Sequence, residues 1–183
     1  FTAGIPCIYY GTEQGFDGSG DHDKYVRESM FGGEFGAFRT RNRSFFNSEH
    51  PVYQEMKKLA ELRNEYIHLR LGRQYLREIS EIKNKDFHLP RADQARCREI
   101  IAWSRIFSQG EFLLAVNCDL DKAQKVKVLI DSEIHLPGEK FICVYSSAAE
   151  KIGEELEVKA ADQGKNYLEI AVPAKGRAIY KSL

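Results

Sequence analysis

The sequence predicts a mainly β protein: an antiparallel β-sandwich of Greek-key-like type, preceded by a strand, a long loop and one helix. Two observations carry this expectation. From Gly72 onward the apolar residues recur with a period of two, in eight short runs separated by polar turns. Before Gly72 there is one apolar run at residues 3–11, and then a single stripe of helical period. Short strands that are apolar on one face can hide that face only by stacking two sheets or by curling up. The boundary therefore falls between residues 71 and 72, giving segments 1–71 and 72–183.

A chain of 183 residues can hold one domain, or a small domain with part of another. The 27 basic residues balance 27 acidic ones, which argues against nucleic acid or an anionic membrane as partner. The apolar runs fall well short of the roughly 20 residues needed to span a bilayer. No targeting segment is read, so cytoplasmic and secreted locations both stay open.

Taken in order, residues 3–11 form a short buried strand in this reading, with Ile5, Ile8 and Tyr10 packing a core. Residues 12–47 show little periodicity and carry glycines at 15, 18, 20, 32, 33 and 36; so long an excursion is usually functional or disordered. Ser48 is expected as N-cap and Pro51 near the first turn of a helix that runs to Gly72. Its stripe is Val52, Met56, Leu59, Leu62, Tyr66 and Leu69. The strands follow at 74–79, 99–107, 112–118, 124–130, 140–145, 155–158, 166–172 and 177–181. Ser108-Gln-Gly-Glu111 reads as a hairpin turn, and Asp119-Leu-Asp-Lys122 and Leu136-Pro-Gly-Glu139 as further breaks.

Four cysteines, Cys7, Cys97, Cys118 and Cys143, lack the close pairing of a zinc site. Their apolar, strand-like settings suggest buried free thiols, with a disulfide between adjacent strands as the alternative. The five histidines are scattered and show no metal or triad spacing. Trp103 is read as core, or as packed against a neighbouring domain, rather than as a sugar platform. Phe45 and Phe46 are expected to anchor the loop onto the helix. Arg39, Arg41 and Arg43 are expected to be solvated or paired.

Gly4-Ile-Pro-Cys-Ile-Tyr-Tyr-Gly-Thr-Glu-Gln14 carries the most specific pattern. On residue type alone it is a buried strand that turns at Gly11 and places Glu13 and Gln14 just beyond its C-terminal end. The string resembles the eighth-strand signature of the α-amylase family of glycoside hydrolases. A second likeness follows in Asp23-Lys-Tyr-Val-Arg27-Glu-Ser-Met30, where an aspartate, an arginine and a methionine keep the family's spacing. The chain departs from that pattern in having Phe31-Gly32-Gly33 where a tryptophan is frequent.

The resemblance implies that residues 1–71 are the last strand, loop and helix of a (β/α)8 barrel, and that 72–183 are its all-β C-terminal domain. Asp23 and Arg27 would then hydrogen-bond sugar hydroxyls, as a carboxylate and a guanidinium fork are suited to do. Glu13 and Gln14 would lie at the barrel end that carries active sites and, with Asp23 and Arg27, are expected to bind substrate. An exposed Asp23–Arg27 ion pair is the plain alternative. Retaining chemistry needs two carboxylates about 5 Å apart, and the family's catalytic acids belong to strands before residue 1, so none is expected here. The resemblance implies an α-glucan or maltooligosaccharide and the missing N-terminal barrel as partners. It implies no cofactor in this chain, and it confines any structural calcium to the missing part. Sucrose-cleaving, branching and transglycosylating relatives stay open, as does a non-catalytic carbohydrate-binding or supporting sandwich.

Overall fold

The computed structural model describes residues 1–16, 21–23, 29–31, 44–93 and 96–183. The chain divides into two compact units, one comprising Phe1–Ala3 with Ile67–Leu183 and the other Gly4–Tyr66. Among the described residues the structure is mainly β: three antiparallel sheets and two short α-helices.

The described residues of the larger unit form twelve strands: β1 (Arg73–Arg77), β2 (Ile79–Glu81), β3 (Ala92–Asp93), β4 (Arg96–Cys97), β5 (Ile100–Phe107), β6 (Gly110–Asn117), β7 (Gln124–Leu129), β8 (Lys140–Ser146), β9 (Glu155–Glu157), β10 (Lys159–Ala160), β11 (Asn166–Val172) and β12 (Arg177–Ser182). One sheet has the order β1-β5-β6-β12-β8-β9 and the second β10-β11-β7-β2, while β3 and β4 form a small hairpin. The chain passes from the first sheet to the second three times, at β1–β2, β6–β7 and β9–β10, and two of these passages take a single residue. Glu78 links β1 to β2, and Val158 links β9 to β10.

The core lies between the two larger sheets. Ile100, Ala102, Leu113, Ala115, Phe141 and Tyr180 of the first belong to one buried cluster with Val126, Val128, Leu168 and Ile170 of the second. Strict alternation places these side chains. In β11, Asn166, Leu168, Ile170 and Val172 are buried while the residues between them are not. Side chains of a strand point alternately to opposite faces, so a period of two becomes one dry and one wetter face. β5 and β6 are joined as a two-residue hairpin, whose register ends at Phe107↔Gly110 and leaves Ser108 and Gln109 as the loop. Ser108 takes φ 55 there, as a tight hairpin of this twist requires.

The outer face of the first sheet is buried too, at Arg105, Phe112, Leu114 and Ile179. Part of that cover is helix α2 (Ile67–Leu71), whose Leu69 is fully buried. The Arg105 guanidinium donates to the carbonyls of Gly72 at 3.0 Å, Phe1 at 3.1 Å and Arg70 at 3.3 Å. It thereby satisfies carbonyls that the end of α2 leaves without intrahelical partners. Gly72 is needed where it stands, since a Cβ there would run into the His68 carbonyl and lie 3.1 Å from the Ile106 nitrogen. Trp103 sits half-buried opposite Leu76 and Leu114 and donates its indole N–H to the Phe1 carbonyl at 3.4 Å. It is therefore not part of the inter-sheet core.

The smaller unit contains a 3-10 turn at Thr12–Gln14 and helix α1 (Pro51–Glu65). Pro51 occupies the first helical position as expected, where its missing N–H costs nothing. The cap is His50 rather than Ser48: its Nδ1 accepts from the Val52 N–H at 3.3 Å. Ser48 lies too far upstream, and its carbonyl instead accepts from Gln54 Nε2 at 2.6 Å. The helical stripe does not run unbroken to Gly72. Tyr66, at φ −108 and ψ 113, interrupts it and separates α1 from α2. Phe46 packs edge-on against Tyr53 of α1 with ring centroids 5.4 Å apart, as the sequence suggested.

Other expectations need correction. Residues 3–11 form no strand, and Ile5 is 96% exposed, with Ile8, Tyr9 and Tyr10 also exposed. Apolar content makes a strand only where a neighbour completes its ladder, and no described residue does so here. The run read as one strand from Gln74 to Ile79 is two strands in different sheets, and the β3–β4 hairpin was not foreseen. Of the four free cysteines only Cys143 is buried; Cys97 and Cys118 are half-buried, and Cys7 is exposed because its segment has no ladder. Arg27, the arginines Arg39, Arg41 and Arg43, and the glycines 18, 20, 32, 33 and 36 lie outside the described residues.

Candidate functional site

Glu13 and Gln14 lie on one tight turn. Gly11 opens it in the left-handed region, at φ 89, with the Phe16 ring packed so close that a Cβ would sit 2.9 Å from Phe16 Cδ2. Only glycine combines that dihedral with that approach. The turn is fastened to the segment ahead of α1 through Gln14. The Gln14 amide donates to the Asn47 carbonyl at 3.2 Å and accepts from the Asn47 N–H at 2.8 Å. Both ends of this buried carboxamide are therefore used by the backbone. Glu13 beside it is half-buried, and Asp23 is exposed. The sequence-derived set thus has one member, Gln14, that clasps two segments, and one, Glu13, at the turn's surface. Asp23 lies in the following segment, and the fourth member, Arg27, is outside the described residues.

A second polar constellation, unanticipated from the sequence, lies inside the sandwich unit. The Glu111 side chain, at the start of β6, is fully buried. One carboxylate oxygen accepts from Arg77 of β1 at 3.0 Å and also from the Ser104 hydroxyl of β5. The other oxygen accepts from the Asp131 N–H at 3.0 Å and faces His135 Nε2 at 3.6 Å. The second ring nitrogen of His135 lies 3.2 Å from Glu139, and its carbonyl accepts from buried Asn166 of β11 at 2.8 Å. Arg77 also donates to Ser104 at 2.6 Å. A buried carboxylate persists only when its lone pairs are occupied and its charge is matched, and Glu111 meets both conditions.

Glu111 could have been suspected from parity. It shares the face of Leu113 and Ala115, two core residues, so a charged side chain there needs a partner. The partners themselves, on β1 and on the segment after β7, are remote in sequence and carry no such signal.

This network does not have the layout of a catalytic pair: its one fully buried carboxylate is saturated by donors. Among the described residues no group of three or more His, Cys, Asp or Glu side chains is arranged to hold a metal ion. A groove beside β9 and β11, with a volume of about 380 Å³, is lined by Lys125, Lys151, Lys159, Glu154 and Glu169 among others. Those charges already pair with one another, at 3.1 Å for Lys159–Glu169 and for Lys151–Glu154. The hydrogen bond from Lys159 is the main reason the Glu169 carboxyl lies below its ordinary value.

No family model matches the chain. A stretch of 69 residues is 39% identical to an alpha-amylase of Streptomyces lividans, covering 33% of this chain and 7% of that protein. Similar solved structures include an Anoxybacillus alpha-amylase, with a TM-score of 0.56 at 23% identity, covering 97% of this chain and 29% of that one. The cyclomaltodextrin glucanotransferase CldA gives 0.56 at 19%, covering 98% and 29%. The maltogenic alpha-amylase AmyB of Thermotoga neapolitana gives 0.56 at 13%, covering 100% and 34%. The chain resembles the β-sheet portion of α-amylase-type enzymes. At these identities the solved structures show a shared fold, and this chain spans about a third or less of each relative's length.

Proposed function

We propose that this chain is the C-terminal portion of a retaining glycoside hydrolase acting on α-glucans or maltooligosaccharides. In this reading residues 1–71 supply the last strand, loop and helix of its (β/α)8 barrel, and 72–183 its Greek-key-like C-terminal domain. The observation that carries the proposal is the 39% identity to an alpha-amylase. The ordered Gly4–Gln14 and Asp23–Met30 motifs support it. Asp23 and Arg27 bind sugar hydroxyls in the intact enzyme, Glu13 lies at the rim, and Gln14 holds the rim turn through Asn47. The catalytic carboxylates belong to the preceding barrel strands, so the 183-residue chain alone has no hydrolytic activity. Any structural calcium belongs to that preceding part as well.

The parent reading frame tests this directly. It should encode an Asn-His-Asp-like strand end upstream of Phe1, and an unrelated upstream sequence would end the proposal. In the intact enzyme, Arg27→Ala should remove charge-assisted bonds worth about 1.5–3 kcal/mol. The loss appears as a raised KM if the sugar is held equally in ground and transition states, and also as a lowered kcat if the bonds tighten as the ring distorts. Unchanged kinetics would return Asp23 and Arg27 to the role of an exposed ion pair. Starch-hydrolysing activity of the purified 183-residue chain, lost on mutation within it, would contradict the assignment of the chemistry to other strands.

A further inference from the structure

Glu99, one residue before β5, gathers three separate strands of chain. Its carboxylate accepts from the Arg91 N–H at 2.7 Å, ahead of the β3–β4 hairpin. Its carbonyl accepts from the Cys118 N–H at 3.4 Å, extending the β5–β6 ladder by one step beyond Ile100↔Asn117. The same carbonyl receives the Cys97 thiol at 3.7 Å, from β4. The Cys97 thiol and the Cys118 backbone N–H therefore meet at one oxygen, which sets the two residues side by side although they are 21 positions apart in sequence. Both are half-buried, which leaves them reachable by a small oxidant, whereas Cys143 is buried in the core cluster. Burial, the neighbouring Cys97 thiol and a hydrogen bond with it together hold the Cys118 thiol above its ordinary pKa.

We propose that Cys97 and Cys118 form an oxidisable thiol pair that closes to a disulfide and staples the β3–β4 hairpin to the end of β6. The oxidant class is a peroxide. One thiol, as thiolate, attacks a peroxide oxygen to give a sulfenic acid and release water. The second thiol then attacks that sulfenic sulfur, forming the S–S bond and releasing a second water. Two thiols lose two electrons and two protons in all, and one hydrogen peroxide is reduced to two waters. Proximity makes the second step intramolecular, which protects the first cysteine from irreversible oxidation.

The test uses the full chain, reduced and freed of reductant, then exposed to stoichiometric hydrogen peroxide, alkylated under denaturing conditions, digested and mapped by mass. The expected product is a linked Cys97–Cys118 peptide pair lighter by two hydrogens, with Cys143 alkylated. A Cys7→Ser variant, which removes the exposed competitor without touching the pair, should give the same link. Cys118→Ser should abolish it and leave Cys97 as a mixed or over-oxidised species. The proposal is overturned if Cys97 and Cys118 both remain alkylatable once exposed Cys7 is fully oxidised in the wild-type chain. It is equally overturned if either ends as a sulfinic acid, is linked to Cys7, or joins a second copy in preference to its neighbour.

Discussion

The Gly4–Tyr66 unit and the unit containing Ile67–Leu183 spend similar side chains very differently. In the second, Leu168, Ile170 and Val172 sink completely, because a neighbouring strand completes their backbone ladder and an opposing sheet covers their face. In the first, Ile5, Ile8, Tyr9 and Tyr10 form an equally apolar run, yet they lie exposed and outside any sheet. What differs is not hydrophobicity but company: an apolar run gains from burial only when its own amides and carbonyls are also satisfied. Polar groups show the same contrast. Gln14 bridges two backbone segments of the first unit, whereas Glu111 gathers donors from three separate elements of the second.

Limited proteolysis should expose the largest difference. Chymotrypsin is expected to cut after Tyr9 or Tyr10 orders of magnitude faster than after Tyr180, Phe112 or Phe141, which become accessible only through sub-global or global opening. Early cleavage within β6, β8 or β12 would show the sandwich to be no more protected than the N-terminal run. Next, Glu111→Ala should strand Arg77 without its buried partner and cost about 3–5 kcal/mol by urea unfolding. A loss no greater than that of a surface mutation would mean the network is ornamental.

A matched pair of truncations sharpens the comparison. Ile170→Ala should cost about 2–5 kcal/mol through lost contacts and a residual cavity, and Ile5→Ala should stay within about 0.5 kcal/mol. Equal losses would imply that the Ile5 segment is packed in solution. The smallest effect concerns His68, whose ring lies 5.0 Å from Phe112 and whose Nδ1 finds no hydrogen-bond partner among the described residues. Burial first, and the charge of Lys181 second, hold its pKa below the ordinary 6.5. The unfolded chain therefore takes up the proton more readily than the folded one. The stability contributed is present above about 6.5 and declines as pH falls through the lowered folded value. Melting temperatures of the wild type and of His68→Gln, compared between pH 7 and 5, should show a steeper acid loss in the wild type. Parallel curves would remove His68 as a source.

Much of the sandwich was legible because alternation is a local signal. The run 166–172 and the start of the 177–181 run coincide with β11 and β12, and the turn after Phe107 falls where the polar residues stand. Sheet membership was not legible. Nothing in Tyr75-Leu-Arg-Glu-Ile79 announces that the chain changes sheets at Glu78, since that depends on which partners β1 and β2 find. The break at Tyr66 was hidden for a similar reason: it has neither Gly nor Pro, the apolar stripe continues through it, and its N–H still reaches the Leu62 carbonyl at 3.1 Å. At the candidate site the residue types of Glu13, Gln14 and Asp23 could be read, but not that Gln14 would be occupied by Asn47. Glu111, read as the end of a hairpin turn, gave no sign of its burial in that reading, and its partners show only in three dimensions.

The paired crossings at Glu78 and Val158 carry a consequence for self-association. They join β1 to β2 at one lateral margin of the sandwich and β9 to β10 at the other, so each margin strand is short and soon turns into the opposite layer. Long, flat, bare margins are what recruit a further chain and seed fibrils. Here β2, β9 and β10 span only two or three residues, and β1, the longest at five, carries Arg73 and Arg77. Each margin strand by itself thus offers an incoming strand little to zip onto.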